Sequence, residues 1–261
     1  MSAGDDNKVG PGPLATLLAT LTGSLYLVFG TLFFSALSIL ASLVPPRGRW
    51  VYYTARLWAR GALLASGVRL RVESEQPLGR RARYVFVANH QSLFDIPALL
   101  AASPGQVRLL AKASLFRIPV FGWALAAGGF VPVDRGARQS ARSSFAKAIE
   151  RLDRDDVSVL LFPEETRSLD GRLLPFRRGG FLLALKTGRP IVPVGVEGSF
   201  AVQSRRSFVI RPRPITVRYG APLDLAAESV RHLPERIESV RGEIARLART
   251  GLASGDSLLR G

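Results

Sequence analysis

Hydrophobic and polar positions along the chain fall into two regimes that meet near Gly67. No charged residue occurs between Lys8 and Arg47, and the run Leu14 to Val44, "LATLLATLTGSLYLVFGTLFFSALSILASLV", is mostly apolar. A helix crossing a bilayer takes about 20 apolar residues, so this run is long for one crossing and short for two. Gly23, Ser24 and Gly30 are points where it can divide into two shorter helices lying in a membrane interface. It outlasts the apolar core of a signal peptide and ends in "VPPRGR", not in a small-residue cleavage site. Residues 47–66 continue with apolar positions at helical spacing. Their Trp50, Tyr52, Tyr53 and Trp58 suit a membrane interface or an ordinary core. Two readings of residues 14–66 follow: a membrane-associating helical segment, and a buried helical hairpin of a soluble protein. The first is favoured, because so large an apolar surface normally marks an interaction face.

After Gly67, short β-branched runs alternate with helical stretches. Strands are predicted at "VRLRVE", "YVFVA", "VRLLAK", "FVPV", "VSVLLF", "IVPVGV", "SFVI" and "ITVRYG". Helices are predicted near Ile96–Ala102, Val120–Ala127, Ala137–Leu152, Gly180–Thr187 and Pro234–Ala248. Alternation of this kind predicts an α/β domain with a mixed, largely parallel sheet flanked by helices. "FVIRPRPITVRYG" leaves no room for a helix between its two strands, which predicts an antiparallel addition. The expected division is a disordered N-terminus at 1–13, the helical segment at 14–66, the α/β domain at 67–250 and a loose tail at 251–261.

Composition narrows the partners. With 261 residues the chain makes one or two domains. It has no cysteine and only two histidines, so disulfides, thiolate nucleophiles and cysteine-ligated metals are excluded. The net charge of +16 favours anionic partners. Its basic residues are scattered from Arg47 to Arg260, which suits a broad positive surface better than a nucleic-acid-binding arm. Arg47, Arg49, Arg56 and Arg60 follow the apolar run and only Lys8 precedes it. The positive-inside rule therefore puts the α/β domain on the cytoplasmic side of an inner or other membrane.

Four polar clusters sit at predicted strand ends. In "VANHQSLFDIP", His90 and Asp95 are five residues apart, about 140° around a regular helix, and cannot share a helix face. They meet if His90 lies in the turn and Asp95 in the first helical turn, a placement that Pro97 supports. A neutral imidazole takes a proton near pH 7, and a carboxylate on its other nitrogen fixes the tautomer. A polar turn capped by Ser92 or Asp95 fits the same residues. "VSVLLFPEETRS" brings Glu164, Thr166, Arg167 and Ser168 to a second strand end, as phosphate-holding groups or as a local Glu164–Arg167 pair. "GGFVPVDRG" adds Asp134 and Arg135, and "VRLLAK" adds Lys112. Open α/β sheets bind ligands outside the carboxyl ends of their strands, where one base candidate and three cations converge. There is no G-x-S-x-G elbow, P-loop or dinucleotide fingerprint.

"NHQSLFD", "GGFVPVDR", "FPEETRS" and "VPVGVEGS", in that order, resemble the four sequence blocks of the glycerolipid acyltransferase superfamily, which includes the 1-acyl-glycerol-3-phosphate acyltransferases. The likeness spans about Val85 to Ser199. It implies acyl transfer from acyl-CoA or acyl-carrier protein to a hydroxyl of a lysophospholipid, without a metal or other cofactor. By resemblance His90 and Asp95 take the H-x-x-x-x-D positions, Glu164, Thr166 and Arg167 belong to the third block, Arg135 to the second, and Lys112 to a phosphate-binding lysine. His90 would deprotonate the hydroxyl, Asp95 would orient His90, and the cations would hold the acceptor phosphate. Glu165 stands where the third block commonly has glycine, a residue that permits positive φ or close approach. Two rival readings remain: a different lysophospholipid or lyso-aminolipid acceptor, and a non-catalytic basic module binding anionic lipid. Nucleic acid is not an expected partner.

Overall fold

The computed structural model of the chain describes residues 10–80, 82–133, 157–225 and 231–253. The apolar run forms a continuous helical stretch, Pro13–Ala41, the one among the described residues long and apolar enough to cross a membrane. Helix α1 (Pro13–Leu25) passes through a π-turn at Tyr26–Gly30 into α2 (Thr31–Ala41). The anticipated break at Gly23, Ser24 or Gly30 is thus a π-turn inside one helical stretch. There the Tyr26 hydroxyl donates to the Trp58 carbonyl at 3.2 Å, in space that a side chain at Gly61 would fill.

This rod packs with an inverted pattern. Its buried residues are the small or polar Ala19, Gly23, Ser35 and Ser38, while Leu14, Leu17, Leu21, Leu25, Phe29 and Phe33 are exposed. Hydrogen bonds fasten the inner face to α3 (Arg47–Ala65): Trp58 Nε1 donates to Thr31 Oγ1 at 3.0 Å, and Ser38 Oγ meets Thr54 Oγ1 at 2.6 Å. The α3 aromatics divide. Tyr52 is buried in the core, Trp50 and Tyr53 are exposed, and Trp58 is half-buried.

Seven strands form one sheet in the order β1-β7-β6-β2-β5-β3-β4. They are β1 (Leu70–Ser74), β2 (Val85–Ala88), β3 (Val107–Lys112), β4 (Val131–Val133), β5 (Ser158–Leu161), β6 (Ile191–Glu197) and β7 (Ile215–Tyr219). Every pairing is parallel except β6 with β7. Parallel strands buried on both faces read as continuous apolar runs, as β2 and β6 do. Successive β2 side chains alternate between two core layers. Phe86 and Ala88 join Tyr52, Leu63 and Leu99, under α3 and α4 (Asp95–Ala102). Val85 and Val87 join Phe181, Ile237 and Ile244, under α6 (Gly179–Thr187) and α8 (Leu233–Ala248). A side chain at Gly195 would come within 2.4 Å of the Leu247–Ala248 backbone, so α8 rests directly on β6. Short α5 (Phe121–Ala127) and α7 (Ser199–Val202) complete the described helices.

One strand expectation fails. The predicted strand at "SFVI" is a loop. Ile210 exchanges hydrogen bonds with Thr20 Oγ1 of α1 instead of pairing in the sheet, and Pro212 and Pro214 remove ladder donors. The antiparallel element is β7 alone, inserted between β6 and β1. The expected loose tail is tied at its start: Leu173 N donates to Gly251 O and Ala253 N to Leu173 O, each at 2.9 Å. The helix predicted at Ala137–Leu152 lies outside the described residues.

Candidate active site

The site begins where β2 stops. Asn89 substitutes for a further rung of sheet: its Nδ2 donates to Val196 O at 2.9 Å and its Oδ1 accepts from Val196 N at 2.7 Å. His90 follows in the turn, and fully buried Asp95 opens α4. Asp95 Oδ2 accepts three hydrogen bonds, from His90 Nδ1 at 2.8 Å, Gln91 N at 2.7 Å and Ser92 N at 2.8 Å. One carboxylate thus folds the turn around itself and takes up amides exposed at a helix start. Because this oxygen accepts, the imidazole proton is assigned to Nδ1 and the lone pair to Nε2. Nε2 has no partner among the described residues, and the side chain is 15% exposed. The ring stacks on Phe162 just beyond β5, with centroids 4.1 Å apart and planes at 17°. Hydrogen bond and stacking together fix the direction of Nε2.

The main chain of His90 is clamped by the loop after β5. Glu164 Oε1 accepts from His90 N at 2.5 Å, Glu164 Oε2 accepts from Leu174 N at 2.8 Å, and Ser168 N donates to His90 O at 3.0 Å. Burial raises the Glu164 carboxyl to about 8, against the opposing pull of the two amides and Arg241, and with the Asp95 charge adding to the rise. Arg241 is itself buried and donates to the carbonyls of Leu173, Leu174 and Ala253. Glu164 forms no pair with Arg167; both of its oxygens are used on backbone amides.

Arg167 is left differently. Its guanidinium is half-buried and has no hydrogen-bonding or acidic partner among the described residues, while its carbonyl accepts from Arg205 Nη1 at 3.0 Å. Burial, then the like charge of Arg205, lower the Arg167 pKa, and the Asp95 carboxylate pulls the other way. Two neighbouring guanidinium groups that form no ion pair among the described residues are suited to an anion. Arg205 is not identifiable from sequence spacing; its only signal is the cationic "SRRS" that follows the fourth block.

The remaining expected residues are more loosely placed. Thr166 is half-buried with no side-chain hydrogen bond among the described residues. Lys112 ends β3 at the same carboxyl edge, exposed, and no contact joins it to His90. Arg135 lies outside the described residues. Glu165 adopts φ +58°, the left-handed conformation that favours glycine. An apolar cavity of about 140 Å³ lies between the N-terminal helices and the sheet domain, lined by Phe34, Trp58, Leu100, Leu109, Phe121 and Phe130, among others.

A carboxylate on one imidazole nitrogen, with the other nitrogen free among the described residues, is an arrangement that can remove a proton at the end of an α/β sheet. A family profile described as Acyltransferase matches residues 69–197. The chain is 32% identical to the 1-acyl-sn-glycerol-3-phosphate acyltransferase of Saccharomyces cerevisiae, over 79% of this chain and 69% of that protein. It is 33% identical to the protein of that name from Cocos nucifera, over 60% of this chain and 52% of the relative. It superposes on the crystal structure of the 1-acyl-sn-glycerophosphate acyltransferase PlsC from Thermotoga maritima with a TM-score of 0.76 and 25% identity, covering 92% of this chain and 99% of that one. The chain belongs to the acyltransferase family. It spans about half the length of the matched relatives from coconut and from Brassica napus.

Proposed function

We propose that this chain is a membrane-associated acyltransferase that moves a fatty acyl group from acyl-CoA or acyl-carrier protein to the free hydroxyl of 1-acyl-glycerol-3-phosphate, giving phosphatidic acid. The observation that carries this reading is the 2.8 Å contact of His90 Nδ1 with Asp95, which leaves Nε2 without a partner among the described residues. Nε2 removes the hydroxyl proton as the oxygen attacks the thioester carbonyl. The C–O bond forms, the tetrahedral intermediate collapses, and the C–S bond breaks to release thiolate. The imidazolium returns the proton to the leaving sulfur. No acyl-enzyme, metal or other cofactor is needed to balance the step. General-base assistance of this kind contributes roughly 10²–10⁴-fold.

Arg167, Arg205 and Lys112 hold the acceptor phosphate, together with Arg135 of the second block. Glu164 acts by positioning the His90 backbone. The apolar cavity suits an acyl chain, and the exposed apolar face of α1 and α2 keeps the site at a bilayer, where both lipid acceptor and product reside, with the sheet domain on the cytoplasmic side. The names of the relatives support the acceptor assignment. One observation favours a different lyso-lipid acceptor: Glu165 adds a carboxylate beside the phosphate-binding loop.

A transfer assay crossing acyl-CoA and acyl-carrier protein donors with several lyso-lipid acceptors tests both readings. Highest efficiency with 1-acyl-glycerol-3-phosphate is expected. Preference for another lyso-lipid moves the assignment to that acceptor, and no transfer with any combination overturns the enzymatic reading.

A further inference from the structure

The loop joining α7 to β7, residues 203–214, has features that neither the core nor the proposed acyl transfer requires. Phe208 is 90% exposed, the most exposed of the large apolar residues among the described ones, and Val209 beside it is 38% exposed. Arg206 and Arg211 flank them, both exposed. The loop is nevertheless held in shape. Ser207 N donates to Ser204 O at 3.1 Å, Val209 N donates to Ser207 Oγ at 3.1 Å, and Arg211 N donates to Val202 O at 2.9 Å. Ile210 is fully buried and exchanges hydrogen bonds with Thr20 of α1 at 3.0 and 3.3 Å. An aromatic tip surrounded by arginines is therefore fixed beside the helix whose Leu17, Leu18 and Leu21 also face outward.

We propose that this loop is a second lipid-contacting element, which seats on an anionic bilayer surface with Phe208 at the boundary of head groups and acyl chains and Arg206 and Arg211 against lipid phosphates. The inference rests on the membrane-association part of the function proposed above and adds a contact that α1 and α2 do not supply. Three features select an anionic membrane as the occupant. Apolar residues mixed with arginines match the layered polarity of a bilayer interface. The positive charge complements anionic head groups. The loop is hydrogen-bonded to α1, so its tip continues that helix's apolar surface. It also has a consequence for the site. Arg205 donates to the carbonyl of Arg167, so seating the loop holds the cationic mouth of the site at the surface where a lyso-lipid phosphate lies.

The chain has no cysteine, so Phe208→Cys gives a unique attachment point for an environment-sensitive fluorophore on the full-length protein. The expected result is a blue-shifted emission on adding phosphatidylglycerol-containing vesicles. Loss of the shift is expected when Phe208 is left intact and the fluorophore is placed instead through Ser239→Cys, an exposed position on α8. Arg206→Ser and Arg211→Ser should each weaken partition onto the anionic vesicles about fivefold, from about 1 kcal/mol per basic residue. On pure phosphatidylcholine they should have little effect, and high salt should erase the difference. Vesicle binding without any emission change at position 208 overturns the loop contact while leaving membrane association through α1 and α2 in place. Failure to bind vesicles at all overturns both. Neither outcome depends on acyl transfer being measured.

Discussion

Helix α8 and the α1–α2 rod solve opposite packing problems. Helix α8 buries Leu233, Ile237, Val240, Ile244 and Leu247 against the sheet, the stripe expected of a helix in a water-soluble domain. The rod turns Gly23, Ser35 and Ser38 inward and presents leucine and phenylalanine outward. Helix α8 is completed by the sheet beneath it, whereas the rod leaves its apolar face open among the described residues. The active site repeats the contrast. The carboxyl of Glu164 and the guanidinium of Arg241 are satisfied by backbone groups, whereas the Arg167 guanidinium and the Nε2 of His90 have no partner among the described residues. Groups satisfied internally should govern stability, and groups left open should govern binding and catalysis.

The largest separation is expected between matched apolar substitutions. Ile244→Ala in α8 should cost about 2–5 kcal/mol, while Leu21→Ser on the rod should change stability by under about 0.5 kcal/mol and weaken vesicle binding. Chemical denaturation in detergent together with co-sedimentation reads both, and equal destabilisation by the two would break the comparison.

Glu164 sharpens it through pH. Its folded pKa, about 8, is above the ordinary carboxylate range. Between that range and about 8 the folded state holds a proton that the unfolded state has lost. This contribution to stability is therefore complete at low pH, falls as pH rises through that window, and levels off above about 8. The total change is on the order of a few kcal/mol. Glu164→Gln should be less stable near pH 5 and should flatten the profile, which denaturation midpoints across pH will show. An unaltered slope would mean that another group titrates.

For Arg167 the contrast predicts the reverse: stability nearly unchanged and acceptor binding lost. A charge-assisted hydrogen bond is worth about 1.5–3 kcal/mol, so Arg167→Ala should lose roughly ten- to hundred-fold in acceptor efficiency. Arg167→Lys should lose less but measurably, since it lacks the planar fork. Kinetics with acceptor and donor varied separately should leave the donor's KM unchanged; an equal effect on both substrates would place Arg167 elsewhere in the mechanism. The smallest effect is expected at Glu165. Relieving a left-handed non-glycine residue by Glu165→Gly should raise stability by about 0.5–1 kcal/mol, the strain released being partly offset by the greater chain entropy of glycine.

What could be read from the sequence depended on how local its cause is. Strands β2 and β6 were legible because burial on both faces leaves an unbroken apolar run. The His90–Asp95 geometry was legible because turn and first helical turn are adjacent. The segment at Phe208 misled because its aromatic and β-branched composition is strand-like, and only its hold on Thr20 explains its shape. Arg205 lies 38 residues from Arg167, and Glu164 lies 74 from the His90 amide it receives. Those approaches exist only because parallel pairing brings the ends of distant strands to one edge. The π-turn at Tyr26 likewise depends on space at Gly61 in another helix.

The most direct test of the account is single-turnover acyl transfer by His90→Ala, with Asp95→Asn alongside and thermal unfolding measured on the same preparations. His90 sits at a strand end and is partly exposed, so folding should survive its loss. The account predicts a fall of roughly 10²–10⁴-fold for His90→Ala, a distinct and measurable fall for Asp95→Asn, and little change in the unfolding midpoint of His90→Ala. A well-folded His90→Ala protein that transfers acyl groups at nearly the parent rate would contradict it.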